Sequence, residues 1–190
     1  MKHPLRDLIR NDKLMNQLAE EYGTPCYVYD QSRLFDNLTK LDSAISKHFN
    51  KYHICYAVKS NSNPHLLKTM LKSLPQLGAD CSSPGEIYVA EKAGINTKSC
   101  IYTGNYESME DLTVALSKEC YLNLDDETSF DRLSKIKIPN RISFRLNPGF
   151  GKGAFSGITT AGNNAKFGIP ADKIVSAYNR AKDSKISRFG

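Results

Sequence analysis

Lys59, Asp80, Glu86 and Arg145 are the residues of this chain whose types and settings suit chemistry on an amine, a carbonyl and an anionic ligand. Lys59 closes the run HICYAVKSN, His53 to Asn61, in which Ile54, Tyr56 and Val58 alternate with Cys55, Ala57 and Lys59. A strand here would turn the bulky set toward packing helices and the small set toward a narrow barrel interior, leaving Lys59 at the C-terminal mouth. A lysine so placed can form a Schiff base with an aldehyde once desolvation or a nearby cation lowers its pKa from about 10.4. By position alone it reads first as a solvated loop residue, as most lysines after an apolar strand are. Asp80 ends a second strand within QLGADCSSPGEI, where an acid could balance the lysine or bond a ligand; standing alone it would be a turn aspartate. Glu86 follows Ser83 and Pro84 at capping-box spacing, so a helix cap and a place in the site are both open to it. In RISFRLNPG, Ile142, Phe144 and Leu146 alternate with Arg141, Ser143 and Arg145. If the apolar set faces helices, Arg145 enters the interior near its mouth and needs an anion there, either a ligand or Asp80.

These residues must be positioned by a repeating unit. Strand-like runs near Ile54, Leu77, Ile101, Leu122 and Ile142 stand about 20 to 24 residues apart with helical patterns between them. That alternation predicts βα units and a parallel sheet. Ser83-Pro84-Gly85-Glu86 and Ser108 with Asp111 mark helix starts. Ahead of them, Leu5, Leu8, Ile9, Met15, Leu18, Ala19 and Tyr22 predict a helix stopped by Gly23 and Pro25. Thr24 to Asp30 reads as a strand, and Leu34, Leu38, Leu41, Ile45 and Phe49 as a second amphipathic helix. The expected division is residues 1–52, leading in, and residues 53–190, the first five to six βα units. Asn147 to Pro170 is long, glycine-rich and without the P-loop pattern, and reads as a mobile lid or a dimer-facing loop. A helix over Ala171 to Ala181 and a sixth strand from Lys185 to Phe189 follow.

Composition narrows the classes. The chain has 190 residues, 40% hydrophobic and 24% charged, with a mean hydropathy of -0.45. It has no apolar run near the roughly 20 residues of a membrane span. The charged N-terminus does not suit a secretory signal, and five cysteines without a C-x-x-C pair suit neither a disulfide framework nor a metal knuckle. A cytoplasmic protein with no membrane partner is expected. The net charge of +6 comes from basic residues spread along the chain, so nucleic acid is not the expected partner.

YAVKSN with Asn63 and Pro64, GADCSS, and RLNPG together resemble the fold-type III decarboxylases that use pyridoxal 5'-phosphate, the family of diaminopimelate, ornithine and arginine decarboxylases. RLNPGFGKG followed by the T-x-G-x-N-x-K-x-G-I spacing most resembles the bacterial diaminopimelate decarboxylases, with Ala161 where they usually carry glycine. The resemblance implies a partial TIM (β/α) barrel of the alanine-racemase and decarboxylase type, stopping before closure and without the C-terminal β-domain. It implies that Lys59 holds the cofactor, that Asp80 and Glu86 lie beside it, and that Arg145 lies by its phenolic oxygen. The ring-stacking histidine, the glycine-rich phosphate loop and the glutamate at the pyridine nitrogen have no counterpart in this sequence.

The implied function is decarboxylation of a small-molecule amino-acid substrate, diaminopimelate to L-lysine, with ornithine, arginine or lysine as alternative substrates and a homodimer as the family's assembly. An isolated chain of this extent is expected to be inactive or nearly so. A pyridoxal-phosphate-binding barrel without activity, or a remnant or fragment needing a complementary chain, is the alternative.

Overall fold

The computed structural model describes residues 10–151, 161–162, 165–184, 186 and 188–189. The chain divides into two compact units, Met1–Asn50 and Lys51–Gly190.

In the first unit, helix α1 (Asp12–Tyr22) starts where the Asn11 side chain accepts the Leu14 amide. It stops at Gly23, whose φ of 76° suits a residue without Cβ and whose amide donates to the Ala19 carbonyl. Leu5, Leu8 and Ile9 of the predicted stripe lie outside the described residues. The strand expected over Thr24 to Asp30 does not form. A strand exists only with a neighbour for its backbone donors and acceptors, and here Tyr27 is 92% exposed. Asp30 instead caps helix α2 (Gln31–Ser46), accepting the Arg33 amide at 3.1 Å.

In the second unit the alternation builds the expected sheet. Its strands are β1 (Cys55–Ala57), β2 (Gly78–Cys81), β3 (Cys100–Tyr102), β4 (Tyr121–Leu124) and β5 (Arg141–Phe144). Between them run α3 (Pro64–Ser73), α4 (Pro84–Ala93), α5 (Met109–Ser117) and α6 (Glu127–Ile136). Two short strands, β6 (Leu146–Asn147) and β7 (Ile169–Pro170), then α7 (Ile174–Asp183) and β8 (Arg188–Phe189) complete the described order. The main sheet runs β1-β2-β3-β4-β5-β8, all parallel, so the expected sixth strand is present as β8. This is the sequential parallel winding of an incomplete (β/α) barrel.

Val58, Ala79, Cys81, Cys100, Tyr102, Leu122, Leu124, Ile142 and Phe144 form one buried core with Leu67, Ile87, Leu112 and Leu133 of the helices. Phe144 meets Tyr178 of α7 edge to face at 5.0 Å, and its amide donates to the Tyr178 hydroxyl. Ser108 and Asp111 form a full capping box at the start of α5. At α4 the box is shifted: Ser83 accepts the Glu86 amide, but the Glu86 carboxylate takes the amide of Ser82, one residue before the cap.

The alternation of Ile142, Phe144 and Leu146 breaks after Phe144. Leu146 is 49% exposed and belongs to β6, which pairs with β7 in a separate two-stranded sheet. The glycine-rich stretch is thus closed at its base by a pairing that two-residue strands cannot announce by periodicity.

Candidate active site

In-register residues on neighbouring parallel strands share a face. Ala57 lies opposite Asp80, Asp80 opposite Ile101, and Asn123 opposite Ser143. Side chains two residues further along keep to that face, which brings Lys59, Thr103 and Arg145 to the same end of the sheet. There they line a cavity of about 540 Å³ with Asp80, Ser82, Asn105, Asn123 and Phe167.

The strand carrying Lys59 is shorter than its sequence suggests. β1 ends at Ala57, and Lys59 sits in a 3-10 turn, Val58–Ser60, whose fully buried Val58 anchors it in the core. Lys59 itself is exposed, so the described residues do not supply the desolvation considered from sequence. Asp80 lies within β2, one residue before its end. Cys55, on the face shared with Asp80, is half-buried, and burial, the Cys100 thiol and the Asp80 carboxylate together push its thiol up to about 11.

Arg145 does not pair with Asp80. Its Nη1 lies 3.1 Å from Oδ1 of Asp125, a carboxylate whose side chain is 3% exposed, and its guanidinium stands 4.7 Å from the centre of the Phe167 ring. Burial raises the Asp125 carboxyl above the ordinary aspartate range, and the Arg145 charge opposes that rise. The Arg145 backbone is held too: its amide donates to the Leu124 carbonyl at 2.8 Å and its carbonyl accepts the Ile169 amide at 2.7 Å. Gly168 makes the second contact possible. Its φ is +80°, and a Cβ there would stand 2.9 Å from the Asn147 nitrogen and 3.1 Å from the Arg145 carbonyl oxygen.

Glu86 is not among the residues that line the cavity. Its carboxylate takes both the amide and the hydroxyl of Ser82, so it acts as a cap one hydrogen bond removed from a lining residue. Of the residues singled out from sequence, the cavity therefore gathers Lys59, Asp80 and Arg145.

Sequence reasoning passed over Asp125 and a polar ladder across three strands. Ser143 Oγ donates to Asn123 Oδ1 at 2.7 Å, and Asn123 Nδ2 donates to Thr103 Oγ1 at 3.3 Å. The ladder was legible as polar residues in phase with Asp80 and Arg145 and out of phase with the core positions. Asp125 stands next to Asp126, whose helix-capping pattern absorbs attention from it.

The arrangement offers an amine for a carbonyl carbon, a carboxylate, hydroxyl and amide groups, and a guanidinium held beside an aromatic ring. That donor set fits a flat aldehyde bearing anionic oxygens. Among the described residues, no cluster of three or more His, Cys, Asp or Glu is arranged to hold a metal, and no helix is long and apolar enough to cross a membrane.

Residues 36–187 match the family described as pyridoxal-dependent decarboxylase, pyridoxal binding domain. The diaminopimelate decarboxylase of Thermoplasma acidophilum is 35% identical over 176 residues, 93% of this chain and 42% of that protein. That of Methanothermobacter thermautotrophicus is 36% identical over 92% of this chain and 40% of its own length. Among solved structures, diaminopimelate decarboxylase of Helicobacter pylori complexed with L-lysine superposes with a TM-score of 0.78 at 31% identity, covering 90% of this chain and 44% of that one. The chain thus spans about two fifths of the length of these relatives. The match over residues 36–187 and the sequential βα winding make this chain a member of the pyridoxal-dependent decarboxylase family, through its pyridoxal-binding domain, whose cofactor is pyridoxal phosphate.

Proposed function

We propose that this chain binds pyridoxal phosphate at Lys59 and serves the decarboxylation of an amino acid, diaminopimelate to L-lysine. The observation that carries the reading is the convergence of Lys59, Asp80 and Arg145 on one cavity at the C-terminal ends of β1, β2 and β5. Lys59 would hold the cofactor, its amine being the cavity-lining group able to bind a carbonyl carbon covalently. Asp80 presents a negative charge on the same cavity wall as Lys59 and would favour a cationic group bound there. Arg145 offers N–H donors to an anionic oxygen of the cofactor, held in place beside Phe167. Thr103 and Asn123 supply fixed polar contacts on the cavity wall, their orientation set by Ser143. Glu86 supports this wall through Ser82. The cofactor supplies the electron sink for the carbanion left when carbon dioxide departs.

The choice of diaminopimelate is supported by the names of the relatives, with ornithine, arginine and lysine as the competing substrates. Because the chain spans 42% of the Thermoplasma acidophilum relative, we propose cofactor binding for the chain itself and little or no turnover without further parts. A cytoplasmic location and a homodimeric working form complete the proposal.

The test is borohydride reduction after addition of pyridoxal phosphate, read by peptide mass spectrometry, with Lys59→Ala as control. Label confined to the Lys59 peptide is the expected result, and scattered or absent label would overturn the binding reading. Assaying carbon dioxide release from the four candidate amino acids then ranks the substrates, and brisk turnover by the chain alone would refute the claim of dependence on further parts.

A further inference from the structure

We infer that Asp125 is the positioning residue of this cavity: its buried carboxylate fixes the Arg145 guanidinium at the wall and ties that placement to the segment that leads through Phe167 and Gly168 into β7. The inference rests on the cofactor reading for its purpose, though not for its geometry.

Asp125 does not line the cavity and touches no ligand, so its effect must pass through another residue. Its side chain is 3% exposed, while that of Arg145 is 32% exposed. A guanidinium on a long stem at that exposure would exchange among solvent-facing rotamers unless held. It is held from two sides, by the Asp125 carboxylate at 3.1 Å and by the Phe167 ring at 4.7 Å. One N–H is spent on Asp125, and a guanidinium has five, so donors remain for an anionic ligand.

The backbone aligns this pair in advance. Arg145 donates its amide to Leu124, the residue directly before Asp125, so one register sets both the main-chain bond and the side-chain pair. The Gly168 amide also acts on the Asp125 carboxylate, favouring its charged form. Asp125 thereby joins the end of β4, the residue after β5 and the approach to β7 at a single buried anion. A buried carboxylate is costly unless paired, and Arg145 is the cation it pairs with among the described residues, so each group keeps the other in place.

The experiment uses the whole chain without cofactor. Phenylglyoxal modifies accessible, mobile arginines, and peptide mass spectrometry reads Arg145 against Arg33 of the first unit as internal reference. Asp125→Asn keeps an acceptor oxygen but loses the negative charge, and is expected to raise the rate at Arg145 about tenfold, the difference between a charged and a neutral hydrogen bond. Asp125→Glu restores the charge and is expected to recover most of the protection. Phe167→Leu removes only the ring and is expected to raise the rate about threefold. An unchanged Arg145 rate in folded Asp125→Asn, or no recovery in Asp125→Glu, would overturn the proposal.

Should Asp125→Asn fail to fold by circular dichroism, the wild type decides: its Arg145 and Arg33 side chains are 32% and 33% exposed, so an Arg145 rate no slower than that of Arg33 would overturn the proposal. A second readout follows pyridoxal phosphate: Asp125→Asn should weaken its binding about tenfold while the label stays on Lys59. If wild-type protein takes no label at Lys59, the cofactor reading fails by itself, and the phenylglyoxal comparison still judges Asp125.

Discussion

The two faces of the parallel sheet are built from the same strands by opposite rules. The helix-covered face carries Ala79, Cys81, Cys100, Tyr102, Leu122, Leu124, Ile142 and Phe144, all buried and all apolar. The other face carries Asp80, Asn123 and Ser143 within the strands, with Lys59, Thr103 and Arg145 just past strand ends. Burial of the first set stabilises the fold, while the second set binds little to itself beyond one hydrogen-bonded ladder. Strands β2, β4 and β5 thus divide their residues by parity, buried apolar on one side and polar on the other, while β3 gives the second face the apolar Ile101.

This division can be broken from either side. The largest effect belongs to Lys59→Ala, which should abolish the reducible cofactor adduct altogether while leaving stability within about 0.5 kcal/mol, because the side chain is exposed. A large shift in the urea midpoint of that variant would contradict the separation of the faces. Leu122→Ala, on the same strand as Asn123 but facing helices, should cost about 2 to 5 kcal/mol in denaturant unfolding and spare labelling of Lys59 in the folded protein. Asn123→Ala severs the ladder at its centre and should cost about 1 kcal/mol. It should weaken cofactor binding more than Leu122→Ala does, as judged by titration.

The smallest effect tests the border between the faces, at Glu107 in the loop after β3. This side chain is 4% exposed, and its Oε2 has no hydrogen-bond partner. Burial raises its carboxyl above the ordinary glutamate range, with Ser129 and Arg132 opposing the rise and Asp126 adding to it. In the structure Ser129 donates its hydroxyl proton to Asp126 at 2.8 Å, which leaves burial as the leading influence on Glu107. For an acid whose folded pKa is raised, the stabilising contribution is complete below the unfolded value, about 4.3, and is lost as pH rises through the folded value. Glu107→Gln removes that loss and should be the more stable protein at pH 7 by about 1 kcal/mol. The two should converge near pH 4 in thermal melts, and a wild type more stable than the variant at pH 7 would refute the assignment.

Much of this was legible before any coordinates. Regularly spaced strand-like runs marked β1 to β5, and the capping residues Ser83 and Ser108 marked the starts of α4 and α5. Parity then sent Lys59, Asp80 and Arg145 to one face, because the period of a strand is fixed by its pleat. The failures have physical causes as definite as the successes. Thr24 to Asp30 has a strand's composition, but pairing is a property of two segments and the run shows only one. Strands β6 and β7 have two residues each, too few for any period. Arg145 required an anion, which sequence could not choose between Asp80 and a ligand. The answer, Asp125, depends on the register of β4 against β5, which no local pattern encodes.

The sequential strand order has a consequence for how the chain comes to be folded at all. From β1 to β5 each strand pairs with the one synthesised just before it, so closing each pair orders only the short excursion through a single helix. Contact order stays low, and the sheet can grow by accretion as the chain emerges. Among the described residues, the step of the main sheet that skips elements is β8, which must reach back to β5 past β6, β7 and α7. Until that happens the open side of β5 is a bare row of backbone donors and acceptors. Misassembly between copies should concentrate there.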